Sequence, residues 1–501
     1  MQVKSLKLGI TATLLLAFFG MGTLRAQSTL VDPKDACTDT LLKHVQQLSS
    51  ERYGGRLSGT KAYMDACQYV INELSSYGVK PYRGEWLQYF EIECNEVEEA
   101  SLFTHSMRDN ATKKYVLGTD YVCASMTGSG YTNSQAAFCG YGIDDDSYNE
   151  YKAMDVKGKV VIVVSGIPNF VDAQIGERYA SIRDKARTAQ KHGAHALVVV
   201  NMSETCGPDE VQLRTYIGDG PHTAEFPILF VTKNTASELF DNEPRSFEEC
   251  LSALQSEHTM QSFLMDKKLE IDVTAHYNPK AITANVVGYI PGWEAPMKNE
   301  YVVVGCHLDH VGEQGNTCMF PGADDNASGV AAVLECARLM SQQQVEPAKR
   351  GVMFVFFGGG ESQSLGSRVF LSNIKPLSAI EAFLNPECIG TGDSIAVMGN
   401  KNFPLIYKLA EAQDTMSTKM MVHGFETSPR GDATAFAHIG IPSLNISTLN
   451  GNKHVHTTAD IVEDIDPKMI TTCATLLFRT AKELSWGDYQ GRSRRSKAYK
   501  F

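Results

Sequence analysis

Short unbroken apolar runs, rich in β-branched residues, recur through the second half of the chain, and each gives way to glycine and to acidic or imidazole side chains. Residues 301–304 are the first, a predicted buried strand. His307 and Asp309 follow, then a glycine-rich loop that ends in Asp324 and Asp325. Beyond residues 326–329, Val330, Val333, Leu334 and Ala337 fall on one face at helical spacing, which predicts a helix. Strand, carboxylate loop and helix start, in that order, mark where an α/β sheet sets its active site, beyond the carboxyl ends of its strands. Residues 352–357 predict a second buried strand leading into Gly358, Gly359, Gly360 and Glu361. Residues 382–384 lead into Asn385, Pro386 and Glu387, and a further polar turn holds Lys453, His454, Val455, His456 and Thr457. Strands are expected near residues 394–398 and 441–446, and a last helix runs from Pro467 to near Trp486.

The first half has a different grammar. Residues 36–48 and 61–74 carry apolar positions at helical spacing on either side of a loop at residues 53–60. Residues 90–103 predict a strand with one exposed face. Small polar residues take over at 123–130, and a self-contained set follows: strands at 160–164, 196–200 and 226–231, with a helix at 183–192. His192 and His195 in this set read as ordinary surface or core residues.

Taking one histidine from the first and last polar stretches, the four stretches supply two imidazoles and three carboxylates. Nitrogen and oxygen donors suit zinc, and this set suffices for two ions sharing a carboxylate. Residues 1–26 have Lys4 and Lys7, an apolar run from 14 to 21, and Leu-Arg-Ala at the end, the pattern of a secretory signal. The apolar core is too short for a membrane span, so an exported, soluble mature chain is expected, periplasmic or extracellular. Removing three basic residues with that segment moves the formal charge from −12 to −15, a poor balance for a nucleic-acid partner. The basic run at 492–495 reads as a solvated tail, residues 488–501. Twelve cysteines form no CxxC pair, so neither a zinc finger nor a disulfide scaffold is indicated. GxSxG, P-loop and strand-borne GxGxxG motifs are missing, which sets three other enzyme classes aside.

The stretches HLDHVG, GADDNASG, the Glu followed by Leu365-Gly366-Ser367, and HTTAD at 456–460 resemble peptidase family M28, the zinc aminopeptidases. The loop at 53–60 resembles that family's GR-x-x-G-T connection, and residues 285–292 its strand before the HxD strand. DVKGKVVIVV, KARTAQKHGAHALVVVN and FPILFV resemble the protease-associated (PA) domain, placed here at 132–275 as an insert between peptidase segments 27–131 and 276–487. The resemblance implies an α/β fold, a mixed, mostly parallel sheet sandwiched by helices, with a β-rich insert. It implies a peptide or protein substrate and two zinc ions that activate a water. His307 and Glu387 would hold one ion, Glu361 and His456 the other, and Asp324 would bridge them. Asp309 would orient His307, and a non-proline cis peptide would follow at Asp324–Asp325.

Two positions depart from the family pattern. Spacing to Gly366 and Ser367 assigns Glu361 to the zinc ligand, which leaves Gly360 where the family has its general-base Glu. Such a base is worth roughly 10²–10⁴-fold, so Gly360→Glu is expected to raise turnover by roughly 10²-fold or more. Glu313 is the nearby carboxylate that could substitute. Ala433 stands after Asp432, where the family often has His. Two readings follow: a zinc aminopeptidase, impaired or with a relocated base, and a zinc-retaining pseudopeptidase that binds peptides or proteins.

Overall fold

The computed structural model describes residues 35–489, apart from 153, 172, 203–210, 214–221, 258–260, 296, 344–346 and 425. The signal segment 1–26 and the basic run at 492–495 lie outside the described residues. Among the described residues, no helix is long and apolar enough to cross a membrane.

Two helices open the described chain. Helix α1 (Thr38–Leu48) buries Leu41, Val45 and Leu48, one stripe. Helix α2 (Lys61–Ser76) starts where the Thr60 hydroxyl accepts from the Tyr63 amide and stops before Gly78, at φ 83°. Strand β1 (Leu87–Ser106) then leaves the helices, and strands β2 (Tyr121–Cys123), β3 (Gly130–Cys139), β4 (Val160–Val164), β5 (Ala196–Val200) and β6 (Ile228–Val231) follow, with helix α3 (Ile182–Lys191) between β4 and β5. Strand β7 (Ser262–Ile290) returns to the first helices. The remainder alternates: β8 (Tyr301–His307), α4 (Gly329–Ser341), β9 (Gly351–Phe357), α5 (Leu365–Asn373), β10 (Ile380–Pro386), β11 (Ser394–Met398), α6 (Asp432–His438), β12 (Ser443–Leu449) and α7 (Pro467–Trp486).

One sheet runs through all of it, in the order β11-β12-β10-β8-β9-β7-β3-β4-β5-β6-β2. Strands β9, β8, β10 and β12 are mutually parallel, and β11 and β7 flank them antiparallel. Strands β8 and β9 are buried on both faces except at Tyr301, as central parallel strands between helix layers must be, which is why they read as continuous apolar runs. On one side α1, α2, α4 and α7 share a core with Val302, Val304, Phe354 and Leu384. On the other, Phe370 of α5 and Phe436 of α6 pack on Val303, Val355 and Phe383. Helix α4 is buried all round except at Arg338 and Ser341, and this holds the loop at its start in place.

A separate pair of cores lies on the two faces of β2–β6. The two halves are joined by β7, which pairs with β9 at residues 286–290 and with β1 from Leu87–Val286 to Ser106–Lys267. The expected join at 275 therefore falls inside a strand. Deleting 132–275 removes the partners of residues 97–106 and uncovers Leu102, which is fully buried. The expected outcome is loss of soluble, cooperatively melting protein; a soluble two-state remainder would show that this part of the ladder is dispensable.

Candidate metal centre

Four parallel strands point their carboxyl ends at one place. His307 ends β8, Glu361 lies just past β9, Glu387 follows β10, and the loop after β12 carries His456. The start of α4 adds residues 322–328 from the same side. A cavity of ≈ 240 Å³ is lined there by His307, Asp325, Glu361, Glu387, Asp432 and His456 among others.

The carboxylate at its centre belongs to Asp325. His456 Nε2 stands 3.1 Å from Asp325 and 3.0 Å from Glu361, and His307 Nε2 is 3.4 Å from Asp325 on its other oxygen. Asp324, expected to bridge, faces the opposite way. Its carboxylate accepts from the Gly390 amide at 2.7 Å, the Ser328 hydroxyl at 3.2 Å and the Thr391 hydroxyl at 2.5 Å, and burial lifts its pKa to about 6. The cis peptide is correspondingly one residue later than expected, at Asp325–Asn326. The physical reason is that Asp325 has extended dihedrals, φ −108° and ψ 92°, so neighbouring side chains project to opposite sides. Asp460 holds this turn: its two oxygens accept from the Asp324 and Asp325 amides at 2.7 and 3.0 Å.

Asp309 is fully buried beside His307, but the His307 Nδ1–H donates to the Asp309 main-chain carbonyl, at 3.1 Å. The Asp309 carboxylate instead accepts from the amides of Gly360 (2.8 Å) and Glu361 (3.3 Å) and so fixes the turn that presents Glu361. Below, Arg56 is wholly buried and donates to four carbonyls, those of Leu48, Leu308, Pro321 and Gly322. It ties the end of β8 to the loop carrying Asp325.

The electrostatics call for a cation. Burial pushes Glu387 up to about 7 against the pull of His307. Burial would also raise Glu361, but His456, His310 and His307 outweigh it and hold it well below the usual carboxylate range. Burial would lower His307; Asp325, Glu361 and Asp309 carry it up to about 10. Glu361 Oε1 and Asp432 Oδ1 are buried with no hydrogen-bond partner among the described residues. Bare buried acceptors of this kind, converging with imidazoles, fit a divalent ion. Four donor atoms, from His310, Asp325, Glu361 and His456, lie within 4.8 Å of one another.

His456 is held by the insert. Its Nδ1–H donates to the Leu213 carbonyl at 3.1 Å, which leaves Nε2 for the carboxylates, and the Leu213 amide donates back to the His456 carbonyl at 3.0 Å. The neighbouring Gln212 side chain donates to the Val455 carbonyl.

At Gly360 the structure shows why the side chain is missing. A Cβ there would sit 2.2 Å from His307 Cβ and 2.5 Å from its Cγ. Gly360 does not lie in the left-handed region, unlike Gly359 at φ 65°, so the obstacle is His307 rather than the backbone. Glu313 is not on the cavity. It is exposed, packs against Gly54, and lines an adjoining cleft with Asp309, His310 and Glu361. Ala433 is buried in α6 against the aromatic core and offers nothing to the site. Asp325, His310, Asp460 and Arg56 carry roles that spacing alone did not assign.

Residues 285–481 match the family model described as Peptidase family M28, and residues 120–239 match that of the PA domain. A probable leucine aminopeptidase of Arthroderma otae is 26% identical over 210 residues, 38% of this chain and 57% of the relative. A probable lipoprotein aminopeptidase, LpqL, of Mycobacterium tuberculosis is 25% identical over 379 residues, 74% of this chain and 62% of the relative. The chain thus spans 57% and 62% of the length of these relatives. Among solved structures, an aminopeptidase from Aneurinibacillus sp. strain AM-1 superposes with TM-score 0.63 at 19% identity, over 91% of this chain and 95% of that one. BSAP, a zinc aminopeptidase from Bacillus subtilis, gives 0.64 at 17% identity, over 92% and 98%. At such identities the likeness is one of fold, and it covers both halves. Residues 285–481 are thus similar to peptidase family M28, and residues 120–239 to the PA domain.

Proposed function

We propose that the chain is an exported, zinc-dependent aminopeptidase. The observation that carries this reading is the convergence of His307, Asp325, Glu361, Glu387 and His456 on one buried cavity at the carboxyl ends of the parallel strands. His307, Glu387 and Asp325 would hold one zinc ion in this reading, and Asp325, Glu361 and His456 would hold the other. Zinc bound there supplies a Lewis acid for a peptide carbonyl and a water of lowered pKa. The chain's own residues supply the rest. Asp309 fixes the Gly360–Glu361 turn, the Leu213 carbonyl orients His456, and the cavity, smaller than the ~300–1,000 Å³ usual for ligand sites, takes the end of a peptide rather than its middle. Asp432, a lining carboxylate not assigned to zinc, offers an anionic group to a free terminal ammonium.

The test is hydrolysis of aminoacyl p-nitroanilides by zinc-loaded protein, beside their N-acetylated counterparts and a chelated control. Turnover confined to free amines and abolished by chelation is expected. Equal cleavage of acetylated substrates would defeat the aminopeptidase reading. Export is checked by sequencing the amino terminus of the secreted protein, which should begin just after Ala26.

The contact at Gly360 favours a second reading, a zinc-retaining pseudopeptidase that binds peptides or proteins. Fully loaded protein that turns over none of the panel, yet binds peptides by calorimetry, would select it.

A further inference from the structure

We infer that His310 is a metal ligand, a fourth protein donor that completes the shell formed by Asp325, Glu361 and His456. The inference rests on the metal-centre reading above and concerns how one of its two positions is closed. His310 lies three residues after His307, on the chain leaving β8, and is fully buried. Neither of its ring nitrogens has a hydrogen-bond partner among the described residues. A bare buried imidazole is costly, and native structures seldom leave one without an explanation. Nδ1 stands 3.3 Å from Glu361 Oε1 and 3.6 Å from Asp325 Oδ2. These are the two carboxylates that His456 Nε2 also approaches, at the same Asp325 oxygen and the other oxygen of Glu361, and the two rings meet edge to face at 5.4 Å. Bonds of about 2.0–2.2 Å from zinc to nitrogen and oxygen bring the donors of one shell to roughly 3–4 Å of each other. The four donor atoms here all lie within 4.8 Å of one another.

Three protein donors leave a zinc ion a position for water, whereas four close it. With His310 bound, the ion at Glu361 and His456 is held as structural zinc is held. The position at His307 and Glu387 would then be the one left with room for a water.

The discriminating variant is His310→Asn. Its side-chain amide keeps a polar N–H beside Glu361 but is a poor ligand. Zinc affinity is measured by chelator competition on the full-length protein, with the d–d absorption of the cobalt(II) form as a second readout. Loss of affinity by roughly 10²-fold or more, with a changed cobalt spectrum, is expected. Unchanged affinity and spectrum would overturn the inference and leave His310 as an ion-pair neighbour of Glu361 alone. Should the variant fold poorly, X-ray absorption on wild-type protein carrying one equivalent of zinc decides the matter. Two imidazoles around that ion support the inference; one refutes it while leaving the wider zinc reading intact. Wild-type protein that takes up no zinc would overturn both.

Discussion

Gly360→Glu is expected to give an enzyme no faster than the wild type, with a weakened hold on metal. From sequence alone the substitution looks like the repair of a missing base, worth roughly 10²-fold or more. The structure removes the room for it. The first atom of the new side chain would fall 2.2 Å from His307 Cβ, an atom fixed to the end of a central strand and unable to rotate away. His307 must move, and with it one of the donors facing Asp325. Gly360→Ala tests the steric part alone and should cost about 1–3 kcal/mol, the range of overpacked cores. Both variants are compared with wild type by zinc content, thermal melting and steady-state rates on leucine p-nitroanilide at matched metal loading. If the Glu variant instead turned over faster by the full factor that a positioned base supplies, His307 yields easily and the missing carboxylate is the sole defect.

Asp325→Asn and Asp324→Asn should part company. Asp325 faces His307, His310 and His456. Loss of its charge should lower zinc affinity by more than the roughly 10–100-fold that a supporting residue commands. Asp324 serves the fold: its carboxylate collects the Gly390 amide and the hydroxyls of Ser328 and Thr391. Its amide variant keeps only part of that acceptor capacity and should lower stability by about 1–3 kcal/mol while zinc binding stays near wild type. Chelator competition and thermal unfolding of both proteins read the two effects separately. The reverse pattern would return the bridging role to Asp324.

Much of this was legible in the chain. Strands β8 and β9 announce themselves because burial on both faces leaves no polar position to break the run, and α2 and α7 because one face repeats every three or four residues. The stretches bearing His307, Glu361, Glu387 and His456 follow those strands, so their meeting at one end of the sheet comes from topology. The choice between Asp324 and Asp325 was not legible. Two adjacent carboxylates are chemically alike, and only the extended backbone at Asp325, clamped by Asp460 some 135 residues away, decides which one turns inward. His310 was hidden for a related reason, since the chain's path beyond β8 fixes where it points. The contact between His307 and Gly360 joins two strand ends, and no local pattern encodes it. Leu213 was invisible in principle, because a main-chain carbonyl carries no side-chain signature.

That carbonyl has a thermodynamic consequence. Residues 211–213 belong to the PA-domain half, yet the Leu213 carbonyl fixes the tautomer of His456 by accepting from its Nδ1–H, and the Leu213 amide donates back to the His456 carbonyl. Coupling between two binding events is reciprocal. A partner that grips the PA domain and draws this segment away must loosen any ion held by His456, and loading the ion must tighten the docking of the segment by the same free energy. Stripping the protein of metal should therefore speed amide exchange at Leu213 well before the central strands respond. The PA-domain half would in this sense act from a distance on an ion held at His456.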